Sequence, residues 1–360
     1  MSDDSMPIDE LLDAPWFQPG LGKTLSYIRG FVASKVIWQM MRSGVFEDLR
    51  QRRSLGEIAD AHGFDPDLLR TVFEYLTVED MLVKDGPADA PSFRLSDYGE
   101  KFEHYEGWFN ILIGGYENVF SNIGAMLREG AGSHGRDGKW VGTGSCEISQ
   151  YDTIPITKEF IRRVKPDATN IVDFGCGNAL YLCTLAQELE GIRAVGIEPD
   201  RAAYEAGLDK IAAFGLEDKV RLVNVDALDY EIEEQPDFIL MGFVLQEIIA
   251  QIGREKLIDY LRELRTKFAN SYLMVMEVDY DVDNREVMRS PVGIGYYNPY
   301  FLLHPFTNQR LLPKQCWDQI FAEAGYEIVI DEVTSPKADP TGLGICYVLT
   351  PASGPLTGSL

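Results

Sequence analysis

The sequence predicts an α/β protein in which a doubly wound, mostly parallel sheet follows a mainly helical domain. From Thr169 onward, short apolar runs such as NIVDFG, RAVGIEP and FILMGFV alternate with stretches of helical periodicity. That alternation predicts parallel strands covered by helices on both faces. Before it, apolar residues recur at helical spacing. The chain of 360 residues, 45% of them hydrophobic, is long enough for two domains that each bury a core.

The chain is strongly acidic, with 57 Asp and Glu residues against 33 Lys and Arg residues and a net charge of −24. Such a charge repels nucleic-acid backbones and anionic lipid headgroups, so we expect no nucleic-acid partner and no membrane partner. The beginning of the chain lacks a basic, apolar leader, and no apolar run is long enough to span a membrane. Five widely spaced cysteines suit a reducing compartment. These features predict a cytoplasmic protein.

A helix pair and a strand pair are predicted near the beginning of the chain. The stretch SLGEIADAHGFDPDLLRTVFEYL divides at Gly63 into two helices, the second of which begins at Asp65 and the proline after it. Two short strands flank the turn KDGPADAP. Together these elements predict a winged-helix domain over residues 1–105. Its second helix carries one basic residue, Arg70, among acids, which favours a homodimerisation module over a DNA-binding one.

Composition divides the rest of the chain into three further segments. Residues 106–165 are predicted to form a helical linker whose glycine-rich part, REGAGSHGRDGKWVGTGSCEISQYD, is an exposed lid. Residues 166–350 hold the alternating strands and helices of the sheet. Residues 351–360 are rich in Pro, Gly and Ser, and we expect a disordered tail there.

A glycine turn follows the first strand of the sheet. Doubly wound sheets bind ligands at the carboxyl ends of their strands, where this chain places Asp173, Gly175 and Gly177 within VDFGCGNAL. Glycines let a ligand approach the backbone closely. A dinucleotide site would have a third glycine at position 180, but Leu180 stands there, which argues against a bound pyrophosphate.

Acidic residues end the next two strands. Glu198 ends the second strand, at the position where an acid binds a ribose diol. Asp226 ends the third strand, where a carboxylate accepts a hydrogen bond from an adenine amino group. With Asp173, these residues place three acids at three successive strand ends. The arrangement predicts a nucleoside ligand that carries positive charge and no phosphate.

These motifs resemble those of the class I S-adenosylmethionine-dependent methyltransferases. V-D-F-G-C-G-N looks like their first motif, and Glu198 and Asp226 match their ribose and adenine positions. The resemblance implies a Rossmann-like, seven-stranded sheet and S-adenosyl-L-methionine as the cofactor. With the winged-helix outline, it extends to small-molecule methyltransferases of secondary metabolite biosynthesis, which dimerise through that domain. The residues expected to bind the donor are Tyr151, Asp173, Gly175, Gly177, Asn178, Glu198, Pro199, Asp226, Ala227 and Phe243.

Three residues are candidates for the base that removes a proton from the acceptor. The O-methyltransferases of this resemblance use a His-Asp pair after the fourth strand, where this chain has Gln246 and Glu247. Gln246 orients an acceptor but takes no proton at neutral pH, whereas Glu247 is either a base or a plain helix cap. His304 lies in an aromatic-rich insertion, which is either the acceptor site or a hydrophobic plug. The residues expected to contact the acceptor there are Tyr297, Asn298, Tyr300, Phe301 and Arg310.

The leading prediction for the reaction is C-methylation of a 2-oxo acid, a small-molecule acceptor whose carboxylate pairs with Arg310 or Arg285. O- or N-methylation of a small natural product is the alternative. An alternative of another class is a winged-helix regulator that senses S-adenosylmethionine without turnover. Certain 2-oxo acid C-methyltransferases of similar outline hold a non-haem iron through two histidines. Only His304 has a counterpart here, so we expect no metal site.

Overall fold

The protein is described by a computed structural model. The chain divides into two compact units, Met1–Phe109 and Asn110–Leu360. Of the predicted tail, Pro351 ends a strand, and residues 353–360 lie outside the described residues. Part of the predicted lid, residues 129–134, also lies outside them. The structure describes residues 7–87, 91–128, 135–232 and 234–352.

The first unit is mainly helical, and its strands form an antiparallel hairpin in which Leu82 lies opposite Leu95. A 3₁₀ turn, Phe102–Tyr105, precedes its last helix. Its elements are α1 (Ile8–Leu12), α2 (Phe17–Arg42), α3 (Val45–Arg50), α4 (Leu55–His62), α5 (Pro66–Val78), β1 (Leu82–Asp85), β2 (Ser92–Leu95), α6 (Asp97–Lys101) and α7 (Glu106–Phe109).

Helix α4 ends, and helix α5 begins, where the sequence predicts. Gly63 adopts a positive φ of 65° after α4, a conformation that costs glycine little. The Asp65 carboxylate then accepts hydrogen bonds from the backbone N–H groups of Asp67 and Leu68 and caps α5. With the hairpin of β1 and β2, the pair forms the predicted winged-helix arrangement. Its core is apolar and includes Phe46, Ile58, Phe73, Leu76 and Met81.

The second unit alternates strands with helices, and it also contains helices that precede its first strand. Irregular helical turns lie at Asn110–Gly115, Gly293–Tyr297 and His304–Thr307. Its elements are α8 (Glu117–Met126), α9 (Gly138–Ser149), α10 (Thr153–Val164), β3 (Asn170–Phe174), α11 (Leu180–Glu188), β4 (Arg193–Ile197), α12 (Arg201–Phe214), β5 (Val220–Val223), β6 (Phe238–Gly242), α13 (Leu245–Ile252), α14 (Arg254–Lys267), β7 (Tyr272–Val278), α15 (Arg285–Met288), α16 (Asn298–Leu303), α17 (Lys314–Ala324), β8 (Tyr326–Val333) and β9 (Gly344–Pro351).

The strands of the second unit form a seven-stranded sheet in the order β5-β4-β3-β6-β7-β9-β8. Neighbours from β5 to β7 are parallel, whereas β9 is antiparallel to both β7 and β8. Strands β4 and β5 lie on one side of β3, and the chain then crosses to the other side of β3, where β6 begins the rest of the sheet. Such a switch point opens a crevice at the carboxyl ends of the two central strands.

Alternate residues of each strand face opposite sides of the sheet, and both sides are covered by helices. Val172 and Phe174 face a core formed with α13, α14 and α17, whereas Ile171 faces a core formed with α10, α11 and α12. The same alternation holds in β9, where Tyr347 and Val348 join different cores. The sheet is therefore doubly wound, as the near-continuous apolar runs of its strands predict.

Candidate functional site

A cavity of about 280 Å³ lies within the second unit, at the carboxyl ends of β3, β4 and β6. Its wall combines the strand ends with α9, the start of α13 and the aromatic segment around α16. The structure brings most of the predicted site residues together on this wall. They are Gly175, Gly177, Glu198, Pro199, Asp226, Ala227, Phe243, Gln246, Glu247, Tyr297 and Tyr300.

The glycine turn after β3 needs its glycines for conformation and for space. Gly175 has a φ of 75° and Gly177 a φ of 56°, both in the left-handed region. A Cβ atom on Gly175 would lie 2.6 Å from Cγ2 of Val244, and one on Gly177 would lie 3.1 Å from Sγ of Cys146. The turn therefore needs glycine at both positions so that Val244 and Cys146 can pack against its backbone, and this backbone borders the cavity.

Glu198 joins this turn to the end of β4. Its Oε2 accepts a hydrogen bond of 2.9 Å from the Gly177 N–H, and its Oε1 accepts one of 2.8 Å from the Asp200 N–H. The residue is only 8% exposed, and burial raises the pKa of its carboxyl to about 7. Near neutral pH, this carboxyl therefore exchanges between its protonated and ionised forms.

The strands on either side supply the next parts of the wall. After β5, Oδ1 of Asp226 accepts a hydrogen bond of 2.9 Å from the Leu228 N–H. After β6, Phe243 has a φ of 58°, and its N–H donates to the Met276 carbonyl at 2.8 Å. A left-handed conformation is costly for a bulky residue and is found most often at functional sites.

Helix α9 packs directly on the glycine turn. A Cβ atom on Gly142 would lie 3.5 Å from Cα of Gly177, and one on Gly138 would lie 2.2 Å from Oδ2 of Asp200. Within the described part of the predicted lid, α9 is thus a helix that forms the cavity wall. Tyr151, just after α9, is 41% exposed and is absent from that wall.

A hydrogen-bonded cluster surrounds Glu247 at the wall. Oε1 of Glu247 accepts from Nη2 of Arg136 at 2.6 Å and from Nε2 of Gln309 at 2.8 Å. The Tyr116 hydroxyl donates to Oε1 of Gln309 at 3.4 Å. The cluster fixes the Glu247 carboxylate beside a guanidinium group.

Gln246, the residue before Glu247 on α13, has a different set of partners. Its Nε2 donates to the Tyr300 hydroxyl and to the Phe243 carbonyl, each at 3.2 Å. Its Oε1 is buried and has no hydrogen-bond partner. Its backbone N–H donates to Glu277, a fully buried carboxyl whose pKa burial raises to about 8. Gln246 therefore offers an unused acceptor atom at the wall.

His304 lies behind Tyr300. The two ring centroids are 4.0 Å apart, and Nδ1 of His304 is 2.6 Å from the Tyr300 carbonyl oxygen. Burial lowers the pKa of His304 to about 4, so its ring is neutral near pH 7. Nδ1 then carries the proton and donates to that carbonyl. The imidazole supports the Tyr300 ring and does not reach the cavity wall.

Comparisons with known proteins give the family. Residues 172–269 match a family described as "Methyltransferase domain". A 2-ketoarginine methyltransferase of Streptomyces arginensis is 33% identical to this chain over an alignment of 347 residues, and the match covers 94% of this chain and 98% of that protein. The chain belongs to the class I S-adenosylmethionine-dependent methyltransferases. The methyltransferase therefore takes S-adenosylmethionine as its methyl donor.

Solved structures share the fold of this methyltransferase. An O-methyltransferase family protein from Burkholderia thailandensis has a TM-score of 0.63 at 16% identity, with 93% of this chain and 99% of that chain covered. An O-methyltransferase from neocarzinostatin biosynthesis, solved with S-adenosylmethionine and 2-hydroxy-5-methyl naphthoic acid, has a TM-score of 0.57 at 15% identity, with 89% and 96% covered. At these sequence identities, the structural similarity shows a shared fold and nothing more.

The cavity of the methyltransferase fits the donor. The backbone at Gly175 and Gly177 borders the cavity, and Glu198 places carboxylate oxygens beside it. S-adenosylmethionine supplies a methyl group on a positively charged sulfonium, which an acidic wall attracts. Asp173 lies in the same region, and burial together with the Glu198 charge raises its pKa well above the usual range. A cationic ligand stabilises the ionised form of both acids.

Some predicted residues of the methyltransferase lie away from the cavity wall. Asp173 is buried, and Oδ1 of Asn178 accepts a hydrogen bond from the Leu180 N–H within the turn. Arg310 is exposed, although its backbone N–H donates to the Gln246 carbonyl. Their predicted roles stay predictions. The full set is Tyr151, Asp173, Asn178, Asn298, Phe301, His304 and Arg310.

Several wall residues of the methyltransferase were not predicted from the sequence, above all Arg136, Asp152 and Tyr116. Arg136 stands in a glycine-rich segment that composition marks as exposed. Asp152 directly precedes α10, where an acid is usually no more than a helix cap. Because the same segment also contains Arg128 and Lys139, composition alone does not distinguish Arg136.

Within residues 7–87, 91–128, 135–232 and 234–352, no group of three or more His, Cys, Asp or Glu side chains is arranged to hold a metal ion. Of the helices in these ranges, none combines the length and the apolar character that crossing a membrane requires.

The raised pKa of Glu198 predicts how donor affinity depends on pH. The ionised carboxylate accepts hydrogen bonds from ribose hydroxyls, and its fraction falls about tenfold per pH unit below a pKa of about 7. Isothermal titration with S-adenosylmethionine should therefore show affinity that is steady above pH 8 and declines toward pH 6. Glu198→Gln should bind more weakly and lose this dependence, while Glu190→Gln, an exposed control, should retain it. A wild-type profile identical to that of Glu198→Gln would contradict the assignment.

Proposed function

We propose that this methyltransferase transfers the methyl group to carbon 3 of a 2-oxo acid in secondary metabolism. The observation that carries the proposal is Arg136. Among the described wall residues it is the one Lys or Arg side chain, in a wall that also carries Asp152, Glu198, Asp226 and Glu247. An acceptor with a carboxylate gains a charge-assisted partner there and nowhere else on that wall. The relative that is 33% identical is named for 2-ketoarginine, which is a 2-oxo acid.

The reaction removes a proton from carbon 3 and joins that carbon to the methyl group. The C3–H bond breaks and its proton passes to a base, while its electron pair forms the enolate. Carbon 3 then forms a bond to the methyl carbon, and the methyl–sulfur bond breaks with its electron pair left on sulfur. The protein must hold carbon 3, the methyl carbon and sulfur in line.

Glu247 is the base in this proposal, since its carboxylate lies at the wall beside the guanidinium that binds the acceptor carboxylate. Gln246 orients the acceptor, because an amide takes no proton near neutral pH. His304 is a positioning residue, since its ring packs against Tyr300 behind the wall. Of the three catalytic candidates in the sequence, Glu247 thus combines access to the cavity with the capacity to accept a proton.

The role of Arg136 predicts a specific kinetic defect. Arg136→Met should raise the KM for a 2-oxo acid about 10- to 100-fold, the loss expected for a charge-assisted hydrogen bond. Arg136→Lys should recover part of this loss because it keeps the charge without the planar fork. Arg310→Met, the matched control, should leave KM unchanged because that side chain is exposed. Methyl transfer is measured by mass spectrometry over a panel of 2-oxo acids and phenols.

Two results of this experiment would contradict the proposal. Methylation of phenols without methylation of any 2-oxo acid would favour O-methylation. A raised KM in Arg310→Met but not in Arg136→Met would move the carboxylate site to the residue that the sequence predicts. Titration of each variant with S-adenosylmethionine controls for damage to the donor site.

The role of Glu247 predicts a loss of proton abstraction. Glu247→Gln keeps an oxygen that accepts from Arg136 and Gln309 but lacks a basic carboxylate. Its kcat should fall about 10²- to 10⁴-fold, the usual contribution of a general base, with donor affinity unchanged. Nuclear magnetic resonance in deuterated buffer should show enzyme-dependent exchange at carbon 3 in the wild type and not in Glu247→Gln. Exchange at the wild-type rate in the variant would remove Glu247 from this role.

Helix α2 carries an apolar stripe that supports the predicted homodimer. Leu21, Leu25, Ile28 and Val32 follow one another at intervals of four, three and four residues, which places them on one helix face. Between 39% and 56% of each side chain is exposed. Exposed apolar stripes of this kind are typical of interaction surfaces. We propose that this stripe pairs with a second copy of the chain.

Light scattering after size-exclusion chromatography tests the homodimer. The wild type should have twice the chain mass, and the double variant Leu25→Asp/Ile28→Asp should have the mass of one chain because it places charges within the stripe. Leu68→Asp, which alters an exposed leucine of α5, should remain a dimer. A monomeric wild type at micromolar concentration would refute the pairing.

A further inference from the structure

Opposite charges line the same cavity. Arg136 lies in the cluster with Glu247, Gln309 and Tyr116. Tyr296 and Tyr297 also line this cavity.

Asp152 lines the same cavity as Tyr296 and Tyr297. Burial raises the pKa of Tyr296, and the Asp152 carboxylate adds to that rise. Burial and the Asp339 carboxylate raise the pKa of Tyr297, whose hydroxyl donates to Asp339 at 2.6 Å. The wall therefore carries an acidic side chain, Asp152, as well as the cationic Arg136.

The Asp152 carboxylate lacks a cationic partner on the described wall. Its side chain accepts a hydrogen bond from the Thr153 N–H, and burial raises the pKa of its carboxyl to about 6. It is thus ionised at neutral pH. Arg136 is the one cationic side chain among the described wall residues, and it is paired with Glu247. A carboxylate in such a position attracts a positively charged ligand group.

Thr334 provides an independent observation at the same wall. It is only 2% exposed, it lines the cavity, and its Oγ1 has no hydrogen-bond partner. Its N–H donates to the Gly344 carbonyl, and Gly344 lines the same cavity as Thr334 and Asp152. A buried hydroxyl without a partner costs free energy unless a ligand satisfies it.

We propose that Asp152 and Thr334, with the rings of Tyr296 and Tyr297, bind a guanidinium group at the end of the acceptor and thereby determine which 2-oxo acid is methylated. The inference rests on the proposed function, because the acceptor carboxylate must lie at Arg136. A guanidinium group donates two parallel hydrogen bonds to a carboxylate and others to a hydroxyl. Tyrosine rings attract a cation across their faces. The acceptor is thus held by opposite charges at its two ends.

The test uses two acceptors of equal length that differ in charge. The 2-oxo acids derived from arginine and from citrulline end in a guanidinium and in a neutral ureido group, respectively. The wild type should have a kcat/KM at least tenfold higher for the guanidinium acid. Asp152→Asn should lower that value about 10- to 100-fold and leave the ureido acid nearly unchanged, which removes the preference. Thr334→Val should reduce the preference by a smaller factor.

Asp167→Asn is the matched control, since Asp167 is exposed and away from the cavity, and it should keep the wild-type preference. A wild type that prefers neither acid, or an Asp152→Asn variant that keeps the preference, would overturn the inference even if 2-oxo acids are methylated.

Binding separates failure of the inference from failure of the proposed function. Titration of both acids into the protein saturated with S-adenosylhomocysteine requires no turnover. Tighter binding of the guanidinium acid that depends on Asp152 supports the inference even if no 2-oxo acid is methylated, a result that would refute the proposed function alone. Equal binding of both acids by the wild type and by Asp152→Asn would overturn the inference.

Discussion

The hydrogen bond from the Gly177 N–H to the Glu198 carboxylate connects the two strands on which the donor site depends. Parallel strands bring their carboxyl ends to one edge, so a side chain at the end of β4 reaches the turn after β3. The same carboxylate accepts from the Asp200 N–H and so holds the start of α12. Because Glu198 is buried beside Asp173, the negative charge of these two acids has no cationic partner until the site binds a positively charged group. The sulfonium donor supplies that charge.

An acidic wall repels any acceptor that carries a carboxylate. Near Arg136 this repulsion is offset, because the guanidinium offers several hydrogen-bond donors in a fixed plane and is held by Glu247. An anion without a partner at that point meets repulsion from the surrounding acids. In the proposed function, selectivity therefore comes as much from exclusion of misplaced anions as from attraction at Arg136.

The parts of the site that depend on strand position were predictable from sequence, and the parts that depend on packing were not. Glu198 and Asp226 lie where their strand ends place them. Arg136 reaches the wall only because α9 packs on the turn through Gly138 and Gly142, a contact between segments far apart in sequence. The aromatic insertion shows most clearly what the sequence alone does not predict. Tyr300 and His304 are four residues apart, so the imidazole stacks behind the tyrosine that lines the cavity.

The turn between β6 and α13 contacts both the donor site and the proposed acceptor site. Val244 packs against Gly175 of the donor turn, and the strained Phe243 before it accepts a hydrogen bond from Gln246. The next residue, Glu247, holds Arg136. Consecutive residues on one short segment therefore touch the donor turn, the aromatic wall and the cationic group. Because methyl transfer requires the reacting atoms to lie in line, a rigid segment that contacts both sites limits their relative displacement. The cost of a left-handed Phe243 is reasonable in this light, since a relaxed backbone there would redirect the chain after β6 and move Val244 away from Gly175.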